Sequence, residues 1–191
     1  MLDVAPQSSV AVLAIIGLDD LARRQSADEN RDLLHELVDE LDRAAETNGL
    51  ERVKVVGDTY FGACGLNHAY LDHAPRALAF VSAARDIVRQ LAQSTGYDLD
   101  LSAGLDSGAV TVGLTGATRL VYDLWGDTVN NAHRLARLAE PGQIIVSDAT
   151  ADRLPPEQLA ERVPIGATSS GVDANEAWIA RSPAEATGGS R

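Results

Sequence analysis

The chain has 191 residues, 45% of them apolar, which suits one globular domain with a full core. With 28 acidic residues against 16 basic ones its formal charge is −12, which argues against nucleic acid as a partner and against attraction to anionic membrane surfaces. A single cysteine, Cys64, excludes an intrachain disulfide and fits a reducing, cytoplasmic location, for the chain alone or as the cytoplasmic part of a longer protein.

Residues 1–9 read as an irregular lead-in. Val10 to Ile16 is expected as a buried strand that ends at Gly17. The apolar run there is too short to span a bilayer, and it has no basic flank or cleavage site, so no membrane segment is expected. Asp20 to about Asn48 reads as one long helix, because Leu34, Leu37, Leu41 and Ala44 recur at helical spacing. Gly49 is placed to end it. Arg52–Val56 and Thr59–Leu66 read as strands joined by a Gly57-Asp58 turn. Pro75 to Ser94 reads as a second long helix with proline in its first turn. Leu99–Leu105 and Ala109–Leu114 read as two strands joined across Asp106-Ser107-Gly108.

Gly126 to Ala139 reads as a helix with Val129, Ala132, Ala136 and Ala139 toward the core. Asn130, Arg134 and Arg137 form a second stripe on it. A short strand at Gln143–Ser147, a short helix at Asp148–Leu154, and a strand pair at Arg162–Ile165 and Asn175–Ala180 follow. Residues 182–191 read as a flexible tail, leaving 10–181 as the domain. The order suggests an α/β (α+β) fold: a ferredoxin-like βαββαβ core with a C-terminal αβ extension.

Three polar groups interrupt these apolar segments. Lys54 lies in a strand among valines and Asp58 at the hairpin tip. Asp123 precedes Trp125 in an apolar run. Asn130 and Arg134 project together from one helix face. Taken singly, each has a plain reading: an edge lysine, a turn aspartate, an aspartate at a helix start, a solvated helix face. Trp125, Trp178 and Cys64 read as core. His35, His68, His73 and His133 show no paired-ligand spacing for zinc.

Taken together, KVVGDTYFGACGL (54–66), GLDSGAVTVGLTG (104–116) and YDLWGDTVNNAHRLARLAEPGQIIVSD (122–148) resemble the conserved segments of class III nucleotide cyclase catalytic domains, adenylyl type. The resemblance implies a class III nucleotide cyclase fold and the conversion of ATP to cAMP and pyrophosphate in cyclic nucleotide signalling. It implies that Lys54 and Asp123 read the base, that Asn130 holds the ribose and that Arg134 stabilises the charged α-phosphate. It implies that Asp58 is a metal ligand for Mg2+ or Mn2+. It also implies a dimer, with metal aspartates from one chain and the other groups from its partner. The pairing has a physical reason. Adenine donates from N6 and accepts at N1, which a carboxylate beside an ammonium complements, whereas guanine presents like groups at both positions.

One departure bears on activity. Family members carry an aspartate three residues before a glycine in the first strand; here the glycine is Gly17 and the position is Ala14. Alanine cannot ligate a metal, and the Ile15 backbone carbonyl is a weak substitute. Asp19 and Asp20 in the following loop are expected as helix N-caps. The expectation is weakened metal binding and a homodimer with feeble or no turnover. The alternative is a non-catalytic domain that supplies the substrate-side half of a site to an intact cyclase subunit in a heterodimer, or that senses nucleotide. An unrelated ferredoxin-like RNA binder is disfavoured by the charge and the lack of an exposed aromatic pair.

Overall fold

The continuous apolar run Val10–Ile16 does make a central strand, but it begins earlier. The computed structural model describes residues 2–24, 26–116, 121–165 and 176–188. In it β1 spans Leu2–Ile16, so residues 2–9 of the expected irregular lead-in are strand. Pro6 falls where the pairing register shifts, between Ala5 and Ser8, as expected for a residue without an N–H. Polar Ser8 and Ser9 hid the strand because their hydroxyls are satisfied internally. Ser8 Oγ donates to the Gly65 carbonyl at 3.1 Å, and Ser9 Oγ meets His73 Nδ1 and Ser107 Oγ, each at 2.7 Å.

The expected first helix is two. α1 (Leu18–Arg24) and α2 (Ala27–Thr47) are separated at Ser26, whose extended backbone and capping box with Glu29 start α2 afresh. Asp19 and Asp20 therefore lie in the first turn of α1 rather than capping the long helix, and Asp20 is paired with Arg23. β2 (Leu50–Val56) and β3 (Thr59–Cys64) form the expected hairpin, and α3 spans His73–Thr95.

The two strands expected on either side of Asp106-Ser107-Gly108 are one, β4 (Asp100–Thr115). No turn forms because Asp106 and Ser107 are buried and bonded: Ser107 N–H donates to Asp106 Oδ1 at 2.9 Å, and Ser147 Oγ donates to the same carboxylate. The strand that folds back on β4 is instead β5 (Val121–Trp125), paired from Thr111↔Trp125 to Thr115↔Val121.

α4 (Asp127–Leu138), β6 (Ile144–Val146) and α5 (Asp148–Ala151) follow. A 3-10 turn at Pro156–Gln158 leads into the antiparallel pair β7 (Leu159–Pro164) and β8 (Glu176–Ala180). Asn175, expected to start the last strand, lies outside the described residues, as do 189–191 of the expected tail. The tail's first part is a short helix, α6 (Pro183–Gly188). It is held by Arg85 Nη2 to Glu185 at 2.8 Å and by Ser182 N–H to Glu185 at 2.8 Å.

Among the described residues the sheet has eight strands in the order β2-β3-β1-β4-β6-β8-β7, with β5 pairing with β4 at Thr111–Thr115, beyond β6. This is the expected α/β fold, a βαββαβ core with a C-terminal extension. Alternation assigns the two faces of β1 to different cores. Ala11, Leu13 and Ile15 pack with Tyr60, Leu78, Phe80 and Leu101 under α2 and α3. Val10 and Val12 pack with Phe61, Val110, Val112, Val129 and Ala132 under α4. α4 lies close on β4 because Gly104 faces it: a Cβ there would stand 2.2 Å from the Ala132 carbonyl oxygen and 2.3 Å from the Ala136 nitrogen.

Candidate active site

α4 covers only part of its sheet face. Beyond it, β2, β3 and β5 present side chains to an open cleft of about 420 Å³, lined by Lys54, Val56, Thr59, Phe61, Asp123, Leu124, Trp125, Val129, Asn130 and His133. Strand pairing explains the selection. Lys54 is opposite Phe61 and Val56 opposite Thr59, and cross-strand partners share a face.

Lys54 Nζ donates to Asp123 Oδ1 at 2.7 Å and Oδ2 at 3.0 Å. Their side chains are 33% and 21% exposed, so the pair is neither fully screened nor fully desolvated. The Leu124 N–H donates to Asp123 Oδ1 at 2.8 Å and fixes the carboxylate's orientation. The ammonium also lies 5.1 Å from the Phe61 ring centre. Lysine has three donor protons and a carboxylate about four acceptor positions, so each partner keeps capacity for a third group in the cleft.

Asn130 lines this cleft and also a second one of about 340 Å³, which it shares with His133, Arg134, Arg137 and Leu138. Arg134 is half-buried. Its Nε and Nη2 are shut off from solvent with no hydrogen-bond partner among the described residues. The structure thus brings Lys54, Asp123 and Asn130 to one cleft and Asn130 with Arg134 to the next.

Asp58 lines neither cleft. It is exposed at the β2–β3 tip, where its carbonyl accepts from the Ile15 N–H at 2.9 Å and its carboxylate from Thr59 Oγ1, also at 2.9 Å. Ala14 is opposite Thr59, and Ile15 stays in the β1 ladder opposite Leu101. Among the described residues no group of three or more His, Cys, Asp or Glu side chains is placed to hold a metal ion.

Sequence reasoning missed Thr59, Phe61, Trp125 and His133 as cleft residues. Two-residue alternation opposite Lys54 could have found the first two, and the three-residue step from Asn130 could have found His133. Trp125, expected in the core, lines the cleft. Trp178 is only partly buried and donates from Nε1 to Asp148 at 2.9 Å beneath the Arg162 guanidinium. Cys64 is buried as expected, and burial pushes its thiol up to about 11.

Among the described residues no helix is long and apolar enough to cross a membrane. The chain is 32% identical over 171 residues to an adenylate cyclase of Mycobacterium tuberculosis, a match that covers 89% of this chain and 39% of the relative. It therefore spans only about two fifths of that relative's length. Two solved structures are similar throughout. One is the guanylate cyclase domain of RhGC from Catenaria anguillulae in complex with GTP, with TM-score 0.83 and 26% identity over 94% of this chain and 98% of that one. The other is the catalytic core of a rhodopsin-guanylyl cyclase with converted specificity in complex with ATPalphaS, with TM-score 0.81 and 29% identity over 94% and 98%. The model of the adenylate and guanylate cyclase catalytic domain matches residues 3–168, and the chain belongs to that family, the class III nucleotide cyclases.

Proposed function

We propose that this domain is an adenylyl cyclase-like module that binds ATP through Lys54, Asp123, Asn130 and Arg134, and that as a homodimer it turns ATP over weakly or not at all. The observation that carries the reading is the Lys54–Asp123 pair, at 2.7 and 3.0 Å, on the wall of the larger cleft. A carboxylate for N6–H and an ammonium for N1 match adenine, and guanine would leave both groups facing their own kind. Asn130, with one acceptor and two donors, suits a ribose. Arg134, two of whose nitrogens lack partners among the described residues, suits phosphate oxygens on which charge grows as the ribose 3′-oxygen attacks and pyrophosphate leaves.

Cyclases of this class work with divalent metal ions, Mg2+ or Mn2+. The donor set at the end of β1 does not fit a pair of ions bridged by two carboxylates. Asp58 supplies one, the neighbouring strand position is the methyl group of Ala14, and the Ile15 carbonyl is a poor replacement. Loss of one fixed electrostatic element of this kind costs roughly 10²–10³ in rate. Asp58 also stands apart from both clefts, which supports a site completed by a second chain. An intact cyclase subunit could supply the metal-bearing half, making this chain the substrate-side half of a heterodimer.

Cyclic AMP formation by the purified chain, with Mg2+ or Mn2+, beside Ala14→Asp tests the reading. Feeble wild-type turnover with a large gain in the variant supports it. Strong wild-type turnover, or formation of cGMP in preference to cAMP, overturns it.

A further inference from the structure

The stripe Asn130, His133, Arg134, Arg137, Leu138 follows helical spacing along the face of α4 turned away from its core residues Val129, Ala132, Leu135 and Ala136. This stripe lines the smaller cleft, which adjoins the base-side cleft through Asn130 and His133. In a chain of net charge −12, no carboxylate lines it among the described residues. Arg23, Arg31, Arg52, Arg76, Arg85 and Arg162 are each in an ion pair. No ion pair of Arg134 or Arg137 occurs among the described residues, which holds also for Arg24, Arg43, Arg89, Arg153 and Arg181, but only Arg134 and Arg137 line this cleft. Burying donor groups without partners is costly; Nε and Nη2 of Arg134 are closed to solvent with no partner among the described residues, so a turn of the guanidinium into the cleft would let an acceptor there satisfy them.

We propose that Arg137 acts with Arg134 as a polyphosphate-binding pair, holding the phosphoanhydride chain of a nucleotide, or pyrophosphate itself, without a divalent ion. The inference rests on the reading of α4 as the substrate-facing helix and adds a residue to it. Three residues advance a helix by about 4.5 Å, so the two guanidinium groups can engage neighbouring phosphoryl groups. Each offers a planar guanidinium fork whose paired N–H groups match two phosphate oxygens. Where the end of β1 lacks the carboxylate for a second ion, a fixed cation on α4 offsets part of the same negative charge. Arg137 is exposed, so replacing it removes the charge without opening the core.

The test is calorimetric titration of the full chain with sodium pyrophosphate in EDTA, and separately with adenosine. Wild type is expected to bind pyrophosphate. Arg137→Ala should weaken it roughly tenfold, Arg137→Glu more, and Arg137→Lys should recover part of the loss. Adenosine binding should be untouched by Arg137→Ala and lowered by Lys54→Ala. Pyrophosphate affinity unchanged in Arg137→Ala and Arg137→Glu, or no wild-type binding without divalent ions, overturns the proposal. If pyrophosphate binding depends on Arg137 while adenosine binding ignores Lys54, the phosphate pair stands and the base-reading assignment fails.

Discussion

Ala14 stands directly opposite Thr59 in the β1–β3 ladder, so the strand position beside the Asp58 turn offers a methyl group and nothing that can hold a cation. Restoring a carboxylate there should make Asp58 matter. In an Ala14→Asp background, Asp58→Asn should abolish the gain in cAMP formation, a loss of roughly 10²–10³. In the wild-type background the same change should have little effect. Initial rates across a Mn2+ titration of the four proteins check this.

Lys54 and Asp123 are 69 positions apart in sequence and meet through the ladder that runs β2-β3-β1-β4-β5. Each should therefore depend on the other for selectivity. Lys54→Ala and Asp123→Ala are each expected to lower the preference for ATP over GTP by about tenfold or more. The double variant should be little worse than either single one, since the two act as a unit. Competition between the two nucleotides for binding is the measurement.

Gly104 admits no side chain because α4 backbone atoms lie 2.2 and 2.3 Å from where a Cβ would be, far inside van der Waals contact. Gly104→Ala must push the helix off the strand, at a cost of about 1–3 kcal/mol or more. The melting temperature should fall, and nucleotide affinity should fall with it, because Asn130 and Arg134 ride on the displaced helix. Gly62→Ala, whose Cβ would meet nothing nearer than 3.4 Å and whose backbone is ordinary strand, is the control.

Burial raises the Asp106 carboxyl above its ordinary 3.8, against the bonds from Ser147, Asn131 and the Ser107 N–H that favour the charged form. A raised carboxyl contributes stability below the unfolded value of 3.8, and that contribution is lost as pH rises through the folded value. At neutral pH the charge is thus a net cost. Asp106→Asn should raise the melting temperature at pH 7, and the advantage should shrink as pH falls toward 4. Thermal melts across that range decide the sign.

The site was legible where chemistry interrupts an apolar pattern. Lys54 among valines, Asp123 before Trp125, and the Asn130–Arg134 step stand out because packing does not require them, and the structure groups them about two adjoining clefts. Strand continuity was less legible. Asp106-Ser107-Gly108 has turn composition, yet partners distant in sequence satisfy its polar atoms, so β4 runs on. The first nine residues were opaque for the same reason: Ser8 and Ser9 look solvated until Gly65, His73 and Ser107 arrive as their partners. The division at Ser26 carried a local signal, a serine three residues before Glu29, which the apolar repeat across the whole segment outweighed.

The near-contact of Gly104 with the backbone of α4 also bears on motion. At that point strand and helix touch through main chain alone, with no side chain between them to let one slide over the other, while valines and Phe61 pack under the rest of α4. Whatever opens or closes this site must carry strand and helix as one block, with the hinge elsewhere: in the hairpin arms bearing Lys54 and Asp123, or in the way two such blocks swing against each other.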